Sequence, residues 1–459
     1  MSAQAVPPSV GPSRKLSFIS DLRVVLAERD FRKLFAVRLV AQGGGGVFSA
    51  GFAAYVFFSA STFPDALAAV EAFAVLYLPY SLVGPFVGVL IDRWSRRQII
   101  VWGTLIQGLL VVVASLIVLA GQTRLPFFIC VLATLGAGRF FLAALSAATP
   151  HVVQADKLVM ANAVAPTCGT IVGFVGGLVG LGVRLTVGGS NVGSGATLLV
   201  SAVFYVLAAA LGLRMSRDLL GPDSLPAGQP RASIAAEVGA IIRGLWAALR
   251  HLRQRRKASY ALGSLGVHHA LYGLITVQGL LLYRNYFYPS GNGNAALSHA
   301  TALVATSAIG FGLAAVITPM GTKRVSMDAW ITGSLAVGGL ATIGLGATFS
   351  QMPFLVLGFL MGLSAQCVQI CVDTTLQRWA DDAYLGRTFA LQDMVYNVSY
   401  VLGPAIALPF LPGTGKSYAI VIAVGACYLA AAAGYGALTL RRTAEAQSPQ
   451  SAPTAAARR

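Results

Sequence analysis

The sequence predicts an all-α membrane protein of about twelve transmembrane helices, arranged as two six-helix bundles. Three observations carry this expectation. The 459 residues are 56% hydrophobic and only 11% charged, with 51 glycines, a balance foreign to ordinary water-soluble domains. The apolar residues fall in runs of roughly 20 or more, the length that crosses a bilayer core as a helix. A shift of 226 in the numbering lays one half on the other, placing Gly84 on Gly310 and the turn at 92–98 on 318–324.

Apolar runs bounded by charges and turn residues place the spans in order. The first, near 32–59, follows the charged, amphipathic stretch RDFRKLF, so MSAQAVPPSVGPSRKL reads as a tail without the apolar core of a secretory signal. The next five run near 66–91, 99–120, 125–149, 158–183 and 195–213. A polar linker, 214–257, holds the turn-rich SLPAGQP and then EVGAIIRGLWAALRHLRQRRK, whose apolar and basic residues alternate at helical spacing, as in a helix lying on a membrane surface; a calmodulin-type target is the other reading of that pattern. Six more spans follow near 258–283, 297–319, 327–348, 352–376, 388–411 and 417–440. The expected organisation is thus a cytoplasmic segment 1–31, bundles 32–213 and 258–440 on either side of the linker, and a disordered cytoplasmic tail 441–459.

A net charge of +17 in a soluble protein would suggest nucleic acid; along this chain it describes orientation. With the amino terminus inside, 28 of the 33 lysines and arginines fall in or beside cytoplasmic segments. Arg124, Arg184, Arg284 and Lys416 lie outward, and Arg139 falls within a span. Both termini are therefore expected in the cytoplasm, anionic lipid is the expected surface partner, and no soluble domain is left to bind nucleic acid. Cys130, Cys168, Cys367, Cys371 and Cys427 all fall in spans and read as packing residues rather than a disulfide framework or a metal set. No G-x-x-x-x-G-K-[ST] loop occurs, so direct ATP use is not expected; neither is a cofactor, a metal or an enzymatic nucleophile–base set.

The turn GVLIDRWSRRQ at 88–98 closes one span and opens the next with an acid–base cluster: Gly88, Asp92, Arg93, Arg96 and Arg97. A purely topological basic turn is one reading of it. The spacing also resembles the loop signature G-x-L-x-D-R-x-G-R-[RK] of the major facilitator superfamily, with Ser95 in place of the usual glycine. TPMGTKR at 318–324 is a degraded copy, keeping Lys323 and Arg324 with Thr318 where Asp92 stands. Within the superfamily, RDFRKLFAVRLVAQ at 29–42 and IIRGLWAALRHLRQRRK at 241–257 resemble macrolide-efflux-type exporters. That resemblance implies two bundles that rock about a midplane cavity, with export of amphipathic small molecules or siderophores commonly driven by protons. It also implies the 88–97 cluster as a gate. The chain departs from the pattern where GGGG at 43–46 replaces a Q-x-G-D-like run that carries the usual coupling aspartate.

Gly43, Gly44, Gly45 and Gly46 in mid-span either unwind the helix locally as a hinge or site, or admit a close neighbour. Gly169, Gly173, Gly176 and Gly177 resemble an antiporter motif that lacks its proline, while Gly403 and Pro404 supply a Gly-Pro pair suited to a bend. Charged groups inside spans are costly and usually turned inward. Arg139, in LGAGRFFLAAL, resembles the internal arginine of proton-coupled drug exporters; it would bias a carboxylate or bind an anion, or else make a structural ion pair. Asp373 with Gln366 and Gln369, Asp393 with Gln392 and Asn397, and Glu71 near the outer side are the candidate proton or substrate groups. His268 and His269 are of the residue type whose unperturbed pKa lies near neutrality, but they lack carboxylate ligands for a metal. The expected protein is a monomeric, multi-pass cell-membrane transporter of small molecules coupled to protons. An importer of the same fold and a non-transporting receptor or scaffold are the alternatives.

Overall fold

The computed structural model describes residues 26–58, 65–86, 94–121, 124–154, 158–216, 220, 233–289, 293–381 and 384–447. Among them there is no strand. The helices are α1 (Arg29–Phe58), α2 (Ala66–Val83), α3 (Arg96–Leu119), α4 (Arg124–Ala148), α5 (Leu158–Val187), α6 (Asn191–Leu213), α7 (Ile234–Gln254), α8 (Arg256–Leu281), α9 (Gly293–Gly321), α10 (Met327–Ala341), α11 (Gln351–Trp379), α12 (Leu385–Ala407) and α13 (Tyr418–Gln447). Ten of the helical stretches are long and apolar enough to cross a membrane. Two further helices complete the twelve: α2, which runs into a 3-10 turn at Gly84–Phe86, and α12, which carries Arg387 and Asp393.

Capping residues set several starts. Asp65 accepts from the Ala68 amide at 2.7 Å to open α2, and Ser233 and Ser326 accept from the amides three residues on at 3.2 and 3.1 Å to open α7 and α10. Packing then follows the internal repeat: α1 against α5 and α6 and α3 against α4 and α6 in one half, α8 against α12 and α10 against α11 and α13 in the other. Because helices alternate in direction, α1, α3, α5, α8, α10 and α12 all begin on the face that carries α7, the linker face.

The glycine run does not unwind α1, which is helical without a break from Arg29 to Phe58. Its glycines are a packing surface. A Cβ on Gly46 would land on the carbonyl oxygen of Gly173, and one on Gly176 would land on that of Gly43, so α1 and α5 touch backbone to backbone. Gly45 alone of the four faces room, its nearest neighbour being the Tyr205 hydroxyl at 3.7 Å. The same device joins α8 to α12, where Gly403 abuts the Ala270 carbonyl and Gly273 that of Tyr400. Pro404 has no N–H for the Tyr400 carbonyl, and Gly273 brings its backbone up to that oxygen.

The far ends of α5 and α6 are tied by Arg184, only 1% exposed. Its guanidinium donates to the carbonyls of Gly189 and Ser190, each at 2.6 Å, and to the Ser194 hydroxyl. A cation at the C-terminus of α5 meets the negative end of the helix and its unpaired carbonyls.

Candidate functional site

Between the halves lies a cavity of about 770 Å³. The second half of α1, the middle of α4 and the stretch 169–181 of α5 form one wall, and residues 297–309 of α9 form the other. Among the described residues its polar lining comprises Gln42, Ser49, Gln107, Thr170, Tyr205 and Thr301, with no charged side chain. Gly45, Gly46, Gly173 and Gly177 also face it, so the run that packs α1 on α5 bares backbone to the lumen.

Two glutamines define the polar end. Gln42 accepts from Arg38 Nε at 3.2 Å and lies across Gly169, where any side chain would collide with its Oε1. Gln107, 5% exposed, donates its amide nitrogen to the Thr134 carbonyl at 3.3 Å. A carbonyl only accepts, which fixes the amide orientation and leaves Gln107 Oε1 without a partner.

The charged candidates gather elsewhere, toward the linker face. Arg139 sits on the α4 stretch whose Gly138, Phe141 and Leu142 line the cavity, yet its guanidinium turns to Gly84, in the turn after α2, and to Asp393 on α12, 4.0 Å away. This pair joins the two halves about two turns into α12. Behind it, Asp373 on α11 accepts from Gln369 at 2.8 Å and from Gln392 on α12, and each of these glutamines keeps an amide oxygen without a partner. Asn397 is buried and donates to the Asp393 carbonyl at 2.7 Å. Asp373, Asp393, Arg139, Gln369 and Asn397 thus converge, whereas Gln366 is half-buried on α11 and Glu71 is exposed on α2; none of the seven lines the cavity.

Gly88, Asp92 and Arg93 lie outside the described residues. Arg96 and Arg97 make contacts within their own half. Arg96 contacts His151 at 2.7 Å and donates to the Leu220 carbonyl at 3.3 Å, and Arg97 donates to the Leu213 carbonyl at 3.0 Å, so the two meet the linker and the end of α6 that leads into it. At the linker's other end Asp381, between α11 and α12, accepts from Arg255 at 2.9 Å and lies 3.7 Å from His251, whose ring stacks on Tyr384. Ile242 and Trp246 on α7 remain exposed. His268 and His269 are fully buried on α8 among Tyr272, Tyr396 and Tyr428, and the carbonyl of His268 accepts from Tyr428 at 3.1 Å. Gln42, Gln107 and Tyr205 are among the polar lining residues that reading the sequence did not single out. A lone glutamine in GTLIQGLL is the kind of polar interruption that marks such a place.

The family profile described as MFS/sugar transport protein matches residues 7–183. A protein of Mycobacterium tuberculosis (strain ATCC 25618 / H37Rv), named as an uncharacterized MFS-type transporter, is 34% identical over 409 residues, covering 89% of this chain and 91% of its own. A namesake in Mycobacterium bovis matches equally. Among solved structures, a variant of the nucleoside transporter NupG superposes with a TM-score of 0.67 at 14% identity, covering 89% of this chain and 99% of that one. The transporter PepTSo of the POT family superposes with a TM-score of 0.61 at 12% identity, covering 92% and 99%. Those two likenesses concern the fold; with the mycobacterial relatives spanning nearly the whole chain, this multi-pass membrane protein belongs to the major facilitator superfamily of transporters.

Proposed function

We propose that the protein is a secondary active exporter of uncharged or weakly charged amphipathic small molecules, driven by protons and working by alternating access. The observation that carries this reading is the Arg139–Asp393 pair, which joins the halves beside the amide-caged Asp373 and next to an uncharged cavity. A pair at 4.0 Å whose side chains are 24% and 68% exposed contributes at most about 1 kcal/mol. That weakness suits a contact made and broken in every cycle. Protonating Asp393 removes its charge and weakens its attraction to Arg139, and Asp373 supplies a second carboxylate close by, so proton binding is linked to separation of the halves on this face. The one-sided arginines and lysines orient the linker face to the cytoplasm of a cell membrane. The cavity lies mainly toward the opposite face, as expected of an outward-facing or occluded conformation.

The test is transport into and out of proteoliposomes under an imposed pH gradient, with a panel of lipophilic drugs, siderophores, a nucleoside and a dipeptide. Coupled proton movement and cargo extrusion are expected, with Asp393→Asn and Arg139→Ala uncoupling the two while still inserting. Accumulation in the opposite direction would establish an importer. Cargo binding with no gradient-driven flux would establish a receptor or scaffold on this fold.

A further inference from the structure

The two sides of the cavity are closed to different degrees. On the α2–α12 side an aromatic cluster seals the halves: Phe73 stacks on Tyr400 with centroids 5.6 Å apart, Tyr77 meets the same ring at 4.7 Å, and the Tyr400 hydroxyl bonds Thr276 at 3.0 Å. On the α5–α9 side the walls end in rim residues. Phe174 and Leu178 on α5, and Val304 and Ile309 on α9, line the cavity and are nevertheless 51%, 60%, 52% and 63% exposed. A side chain that belongs to both the lumen and the outer surface borders an opening. These rims sit in the middle of two helices apolar enough to span the membrane, so the opening faces hydrocarbon rather than water.

The geometry points to a lateral portal between α5 and α9 through which a single-chain, uncharged amphiphile bearing a hydroxyl passes between the bilayer and the cavity, its hydroxyl donating to Gln107 Oε1. This deepens the transporter reading by naming the substrate class and its route. A charged headgroup finds no counter-ion among the described lining residues. A hydroxyl donor answers the buried acceptor that the protein leaves unpaired. The apolar α5 and α9 rims and the side-chain-free stretch at Gly173 and Gly177 accommodate an acyl chain, and the volume lies within the range of about 300–1,000 Å³ typical of ligand pockets.

The experiment uses full-length protein in nanodiscs containing a monoacylglycerol with a diazirine in its acyl chain, illuminated and then mapped by peptide mass spectrometry. The expected adducts fall on inward residues, Thr170, Gly177 and Thr301, as well as on the rim at Leu178 and Ile309. Gln107→Met should reduce the inward adducts roughly fivefold to tenfold while sparing the rim. Ile309→Trp should plug the route and suppress inward labelling with Gln107 intact. The diazirine fatty acid, ionised at neutral pH, should label the rim with little inside. Wild-type adducts confined to lipid-facing side chains would overturn the portal, and equal inward labelling in Gln107→Met would overturn the hydroxyl recognition. Because labelling needs no gradient, gradient-driven flux of other cargo alongside a negative map would sink the portal alone, and a positive map without flux would sink the transport reading alone.

Discussion

Gly45 and Gly46 are adjacent, identical and equally helical, and the structure assigns their alanine variants opposite outcomes. Replacing a mid-helix glycine by alanine favours the helix by about 1 kcal/mol. At Gly45 nothing offsets this gain, because a Cβ meets only the Tyr205 hydroxyl at van der Waals distance, 3.7 Å. At Gly46 the new methyl falls on the Gly173 carbonyl oxygen and crowds the Gly177 amide at 2.8 Å, both backbone atoms that no rotamer change can move. α1 and α5 must then part by roughly an ångström, and such overpacking costs about 1–3 kcal/mol. Gly45→Ala is therefore expected to stabilise by up to about 1 kcal/mol, and Gly46→Ala to destabilise by up to about 2 kcal/mol net. The assay is apparent Tm in detergent, compared at one scan rate because unfolding of such proteins is seldom reversible. If the run instead served as an unwound hinge, both alanines would stabilise alike. A Gly46→Ala protein at least as stable as Gly45→Ala would therefore refute backbone packing between α1 and α5.

Two further outcomes follow from buried and surface charge. Arg184→Ala removes the cation that satisfies the Gly189 and Ser190 carbonyls and should destabilise by about 2–4 kcal/mol, seen as a lower apparent Tm; Arg184→Lys should restore only part, because an ammonium cannot reproduce the forked geometry. Asp381→Asn weakens the hold on Arg255 and His251 at an exposed site, so stability should change by less than about 1 kcal/mol, while limited tryptic cleavage at the α7–α8 junction, Arg253 to Lys257, should accelerate. Unchanged cleavage would show that α7 docks without this clamp.

Much of the helical layout was legible because hydropathy and turn residues report directly on what must cross a bilayer. α12 shows the limit: Arg387 and Asp393 interrupt its apolar pattern, and it reads as a span through its place in the repeat and its length. Within the site, the convergence of Arg139, Asp373 and Asp393 was visible as intramembrane charge, since each needs a partner. Their pairing was not, because contact across halves depends on which helices face each other. Gly45 and Gly46 make the same point at one-residue scale: composition is identical, and only rotation about α1 decides which meets α5. Gln107 escaped notice because a single neutral amide in an apolar run has no periodic signature. Arg96 and Arg97 read as gate residues by motif, and their bonds to the carbonyls of Leu220 and Leu213 were not legible, because those depend on the path of the chain at the end of α6.

The keyed helix pairs, α1 with α5, α8 with α12 and α9 with α11, all lie inside one half or the other, with backbone set against backbone. Between the halves there are instead ring faces around Tyr400, a long ion pair and a void. Stiffness is therefore unevenly distributed: two hard blocks meet at a compliant seam. Motion imposed on such an object concentrates at the seam without demanding a flexible residue anywhere, so glycines that would soften a lone helix here make the blocks rigid, and mobility becomes a property of a boundary rather than of a position in the chain.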